Sequence, residues 1–202
     1  NKYLRKELLW PYLDHLTEKL ISYYKKNKKP NFIHAHYADA GYVGVKLSKS
    51  LNVPLIFTGH SLGREKKRKL LDTGLKNNQI EKLYSISKRI EAEEKALKSA
   101  DIVVTSTKQE SMYQYSQYSS FSPHKAKVIP PGVDHNKFHH IHSTTETAEI
   151  DNMMKPFLKD SSKPPFLTIS RAVRRKNIPS LIEAYGRSEK LKRKTNLILI
   201  LG

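Results

Sequence analysis

Short apolar runs alternate with helical patterns along this sequence, and that alternation restricts the fold more than any other feature. "NFIHAH" at 31–36, "VPLIFTG" at 53–59, "DIVVTS" at 101–106 and "KVIPP" at 127–131 read as strands. Between them "GYVGVKLSKSL" reads as a helix, and Ile80, Leu83, Ile86, Ile90 and Leu97 mark one long helix through "EKLYSISKRIEAEEKALKSA". Ahead of the first strand, Leu9, Leu13, Leu16, Leu20 and Tyr24 fall three and four residues apart, an apolar stripe on a helix whose regular part begins near Pro11. Near-continuous apolar strands belong in parallel sheets covered on both faces. The expected fold class is therefore α/β, a doubly wound parallel sheet with right-handed crossovers.

From about His135 the composition turns polar and rich in His, Ser and Thr, which reads as a linker or insertion over 136–163 with one short helix near Asp151 to Leu158. "PFLTIS", a helical "IPSLIEAYGRSEKL" and "NLILILG" then restart the strand, helix, strand pattern. A unit of that size buries too little apolar surface to stand alone. The expected organisation is a first α/β domain over 1–135, the linker, and the opening of a second over 164–202. A start without Met and an end directly after an apolar run give the chain the look of a fragment.

Lys and Arg number 37 against 19 Asp and Glu, a formal net charge of +18 in 202 residues, which favours anionic partners. The cations are spread along the chain without a helix-turn-helix, zinc or RNP pattern, so a nucleic-acid-binding module is the rival from another class and no nucleic acid is expected. The absence of cysteine removes disulfides and Cys-ligated zinc, and suits the expected cytoplasmic location. No apolar run is long enough to insert in a membrane.

Ligands in open α/β sheets bind beyond the carboxyl ends of the strands. His36, Tyr37 and Asp39, then Gly59, His60 and Ser61, then Ser106 and Thr107 all stand at such ends and should converge on one rim. His60 is either a ligand-facing group or a histidine bonded to a neighbouring loop. Gly59 and Gly63 favour the first, because glycine lets a backbone approach a ligand closely. The basic run from Arg64 to Lys69 begins where a new helix would aim its first amides at an anion, with a solvated helix face as the alternative. Lys88 and Arg89 raise the same choice, the alternative for Arg89 being a pair with Glu93 one turn on. His34 and His36 share a strand face, and His139, His140 and His142 cluster in the linker. Neither group has a third ligand at defined spacing, so no metal and no cofactor are expected. "SRAVRRKN" at 170–177 places an Arg and a Lys after a strand, able to clamp a diphosphate.

"HAHYADAG", "LNVPLIFTGHSLGREK", "KRIEAEEKALKSADIVVTSTKQE", "VIPPGVD" and "SRAVRRKNIPSLIEAY" occur in an order and spacing that resemble the sucrose-phosphate synthases, retaining glycosyltransferases of GT-B architecture. The resemblance covers most of 4–202 outside the linker. It implies two Rossmann-like domains, the first holding the acceptor and the second most of the nucleotide sugar, and transfer of glucose from UDP-glucose to fructose 6-phosphate with retained configuration. His60 matches the family histidine beside the transferred sugar. Lys66, Lys88 and Arg89 match acceptor-phosphate residues, though the family usually carries Arg at both positions of that pair. Arg171 and Lys176 match the pair gripping the UDP diphosphate.

Val173 stands where the family usually has Asp. An early glycine-rich loop and a later two-glutamate motif of the family are missing, so the chain by itself is expected to be inactive. A sister transferase such as a mannosylfructose-phosphate synthase, or a sucrose synthase acting on unphosphorylated fructose, are the alternatives within the resemblance.

Overall fold

The computed structural model describes residues 4–140 and 148–202. The chain divides into two compact units, Asn1–Val133 and Asp134–Gly202. In the first, two short 3-10 turns at Lys6–Leu8 and Trp10–Tyr12 lead into α1 (Leu13–Lys26), so the regular helix does start just past Pro11. There follow β1 (Ile33–His36), α2 (Tyr37–Leu51), β2 (Leu55–Thr58), α3 (Gly63–Asp72), α4 (Asn77–Tyr84), α5 (Ile86–Ser99), β3 (Ile102–Thr105), α6 (Lys108–Tyr113) and β4 (Ala126–Val128). The four strands pair in parallel in the order β1-β2-β3-β4. The α/β class and the parallel sheet are those expected from the apolar runs.

Two clusters hold the unit together. Leu55 and Phe57 from β2 and Val103 from β3 are fully buried with Leu62, Ala96, Leu97, Ala100 and Tyr115, which makes the sheet's central strands the core. Leu13 of α1 packs with Val43, Leu47 and Leu51 of α2, using part of the stripe read from the sequence. Each such side chain contributes about 1.5–3 kcal/mol on burial. The single long helix expected over 81–100 is instead two. Ser85 sits in the left-handed region at φ 44°, ends α4 and starts α5 in a new direction. The apolar spacing from Ile80 to Ile86 runs straight across that break, so periodicity alone cannot reveal it.

The second unit contains α7 (Ala148–Met154), β5 (Pro165–Ser170), α8 (Ile178–Arg187), α9 (Glu189–Lys194) and β6 (Asn196–Leu201), with β5 and β6 paired in parallel. The helix expected after β5 is also two, because Ser188 turns extended and caps α9 by accepting from the Leu191 amide at 3.3 Å. His142, named above with the linker histidines, lies outside the described residues. Among the described residues no helix is long and apolar enough to cross a membrane, and no group of three or more His, Asp or Glu side chains is placed to hold a metal.

Candidate functional site

β1 and β2 run in register, His36 beside Thr58, so the residues following both strands emerge at one edge. β1 passes straight into α2 through Tyr37 at φ 69°, and beyond β2 His60 stands at φ 55°. Left-handed backbone at such residues costs roughly 1–3 kcal/mol and persists only where packing holds it. The packing is aromatic. The rings of Tyr37 and His60 lie 4.8 Å apart, the His36 and His60 rings lie 5.0 Å apart and within 18° of parallel, and His34 lies 4.1 Å from His36. His36 Nδ1 is 2.7 Å from His60 Nε2, and His34 Nε2 is 2.9 Å from Thr58 Oγ1. Partial burial first, then the neighbouring His36, push the His60 pKa below its ordinary value, against an opposing pull from Glu110.

The chain after His60 is anchored by a buried carboxylate. Glu93 on α5 is 0% exposed and accepts from the Gly63 amide at 2.8 and 3.1 Å, from Arg89 Nε at 3.0 Å and from the Tyr118 hydroxyl. The Tyr118 hydroxyl in turn accepts from the Arg64 amide at 3.0 Å, and Tyr115 accepts from the Gly59 amide at 2.7 Å. Burial raises the Glu93 pKa while Tyr118, Arg89 and Gly63 pull it down, and burial raises both tyrosine hydroxyls. The first amides of α3 therefore donate to the protein's own carboxylate and phenol. The anion they face is internal, Glu93, where the position of the basic run suggested a bound one.

The glycines follow the same logic. A Cβ on Gly59 would lie 2.5 Å from Leu62 Cδ2 and 2.9 Å from the Tyr115 hydroxyl, and one on Gly63 would lie 2.8 Å from Glu93 Oε2. Their missing side chains make room for Leu62, Tyr115 and Glu93, where the sequence suggested room for a ligand.

Beside this anchor lies a cavity of about 270 Å³ lined by Lys6, Glu7, Trp10, Tyr37, Ala38, Asp39, Ser61, Lys66, Tyr84 and Arg89. Arg89 is split between two tasks. Its Nε pairs with Glu93 one turn on, while a terminal nitrogen reaches Ser61 and the guanidinium lines the cavity. Lys66 Nζ sits 3.8 Å over the Tyr84 ring and Lys6 Nζ 4.2 Å over Tyr37. Burial first, then Arg89, Lys6 and Arg5 lower the Lys66 pKa, with Glu7 opposing. Like charges crowded this way favour an anion among them, and a desolvated anion would hold each cation in its charged form.

Lys88 does not line this cavity. It lies on a neighbouring face of α5, in a hollow with Trp10, Asp14, Tyr42, Glu91 and Lys95. Ser106 and Thr107 are occupied at the start of α6, where Glu110 accepts from the Ser106 amide at 2.7 Å and its own amide donates to Thr107 Oγ1 at 3.0 Å. Arg68 pairs with Glu65 at 2.8 Å and Asp72 at 2.9 Å, holding the Glu65 carboxyl down at about 2, and Lys69 joins at 3.3 Å. In the second unit Arg171 follows β5 directly and Lys176 closes a 3-10 turn at Arg174–Lys176, ahead of Asn177 at φ 52°.

Residues 1–145 match the family described as "Sucrose synthase first GT-B domain". The chain belongs to this GT-B family. Within it, the GT-B chain is 35% identical to a probable sucrose-phosphate synthase of Vicia faba and 34% identical to the sucrose-phosphate synthase of Spinacia oleracea, in each case over 100% of its own length. It spans 24% of those relatives. Its fold is that of the sucrose-phosphate synthase of Thermosynechococcus elongatus, with a TM-score of 0.70 at 24% identity over 98% of this chain and 43% of the other. The HepE protein of Anabaena, solved in complex with UDP-glucose, aligns at a TM-score of 0.62 and 18% identity over 91% of this chain and 42% of that one. The chain is thus a sucrose-phosphate synthase-like member of the GT-B glycosyltransferases.

Lys6, Glu7, Tyr84, Tyr115, Tyr118 and the anchoring role of Glu93 are what sequence reasoning missed. Lys6 stands ahead of the apolar stripe that begins at Leu9, and its signal in the sequence is a basic residue before the first helix. Glu93 was visible only as a partner for Arg89.

Proposed function

We propose that the enzyme carrying this chain transfers glucose from UDP-glucose to fructose 6-phosphate with retention of configuration, forming sucrose 6-phosphate and UDP in the cytoplasm. In this reaction the bond from the sugar's anomeric carbon to the diphosphate oxygen breaks, a bond to an acceptor hydroxyl oxygen forms, and the hydroxyl proton is released. The observation that carries the reading is the cavity where Lys66, Arg89 and Lys6 crowd without an acidic partner for Lys66 among the described ion pairs. Its size suits one hexose phosphate. The acceptor's phosphate lies between Lys66 and the Arg89 fork, with Lys6 adding charge, while Lys88 stands apart and supplies at most long-range attraction. Tyr84 and Tyr37 give the sugar apolar faces.

His60, at the rim beside this cavity, hydrogen-bonds and orients the transferred glucosyl group. Arg171 and Lys176 of the second unit hold the diphosphate and stabilise the charge that grows on it as UDP leaves. The family membership and the UDP-glucose bound by the Anabaena protein support a nucleotide-sugar donor.

The test is a product assay on the full-length enzyme with UDP-glucose and either fructose 6-phosphate or fructose. The reading expects sucrose 6-phosphate and UDP, with fructose a poor acceptor. A preference for fructose would make the enzyme sucrose synthase-like. A preference for a mannosyl donor would move it to the sister activity.

A further inference from the structure

We propose that His36 is a positioning residue for His60: its Nδ1 takes up His60 Nε2, fixes the tautomer and tilt of that ring, and leaves Nδ1 as the one His60 nitrogen available to the transferred sugar. The inference rests on the reading of this rim as a sugar-transfer site and adds to it a residue that the reading does not use.

The geometry carries the argument. A separation of 2.7 Å between two ring nitrogens requires one proton between them, one ring donating and the other accepting. If His36 donates, His60 must carry its own proton on Nδ1 and can donate to a sugar hydroxyl. If His60 donates, its Nδ1 is an acceptor. Either way, the state of the sugar-facing nitrogen is decided by His36, as a metal ligand's tautomer is decided by the partner of its far nitrogen. The two rings lie within 18° of parallel, joined edge to edge by that bond, and the left-handed backbone at His60 and Tyr37 brings the ring of Tyr37 onto the same imidazole. His34 supports His36 from along β1 and is itself tied to Thr58.

The pair also makes the site sensitive to acid. A proton on both rings would set two N–H groups against each other and break the bond. A single cation on the pair would sit beside a sugar whose transition state develops positive charge at the anomeric carbon. The neutral pair is therefore the working form. The groups facing His60 are His36 and His34 from β1, Tyr37 at the start of α2 and Glu110 from α6, and Glu110 favours the protonated form while His36 opposes it.

The experiment measures kcat and KM against pH for the full-length enzyme, with UDP-glucose and fructose 6-phosphate, in the wild type, His36→Phe and His36→Asn. Phe keeps a flat ring at this position and loses the hydrogen bond. Asn places an amide close to where Nδ1 was and cannot be protonated. The expected result is kcat down about 100-fold for His36→Phe, with the acceptor KM within about threefold. His36→Asn recovers to within about tenfold of the wild type, and the acid limb of its kcat profile moves to higher pH, because the ring charge that depresses the His60 pKa is gone.

A His36→Phe enzyme as active as the wild type overturns the proposal, and so does an acid limb of His36→Asn that stays in place. Equal inactivity of both folded variants does the same, since the amide should rescue. If His36→Phe melts at a lower temperature, the limb of His36→Asn alone decides. A wild type that transfers no sugar sinks the site reading itself. An active wild type indifferent to His36 sinks only this inference.

Discussion

Two basic segments follow apolar strands in this chain, one in each unit, and they are held in opposite ways. After β2, the Gly59, Gly63 and Arg64 amides are tied to Tyr115, Glu93 and Tyr118, and the cationic partner Arg89 is partly buried against the same carboxylate. After β5, Arg171 through Lys176 are all exposed. The strands differ likewise. Leu55, Phe57 and Val103 of the first sheet are fully buried, while Ile169 of β5 is 70% exposed and Ile200 of β6 is 51% exposed. In the first unit the cations are backed by a buried anion, Glu93.

The comparison breaks most severely at Glu93. Glu93→Ala strands Arg89 and the Gly63 amide, and should cost about 3–5 kcal/mol in a urea unfolding titration. A loss under about 1 kcal/mol would mean that the carboxylate anchors nothing. Arg171→Ala probes the opposite case. The full-length enzyme should keep its melting temperature while kcat/KM for UDP-glucose falls about 100-fold, and a large drop in melting temperature would show that the exposed loop is structural after all. Tyr118→Phe removes one donor to Glu93 and the acceptor of the Arg64 amide, and should cost about 1–2 kcal/mol by the same urea measurement. Arg68→Ala should be close to silent, within about 0.5 kcal/mol and without change in either KM, because Arg68 and Asp72 are exposed and Lys69 still pairs with the less exposed Glu65.

The strands were legible because parallel pairing leaves a signature, short apolar runs, that needs no knowledge of partners. "VPLIFTG" and "DIVVTS" are examples, and both became strands within two residues of their expected bounds. The convergence of His36, Tyr37 and His60 was legible for the same reason, since parallel strands deliver their carboxyl ends to one edge.

What escaped was set by single residues and by tertiary pairing. Ser85 breaks a helix by adopting φ 44° with the apolar spacing intact on either side. Glu93 meets Gly63 thirty residues away, so the glycine's purpose lay in a helix whose packing the local pattern could not show. Lys88 and Arg89 look equivalent in sequence, yet adjacent helical positions point about 100° apart, and only Arg89 turns to the cavity.

The central claim is that this cavity holds the phosphate of the acceptor, and it is tested most directly by steady-state kinetics of Lys66→Ala in the full-length enzyme with both substrates varied. The expected result is a KM for fructose 6-phosphate raised at least about tenfold, the loss of one charge-assisted contact, with the KM for UDP-glucose unchanged. An unchanged KM for fructose 6-phosphate, or a rise confined to UDP-glucose, would contradict it.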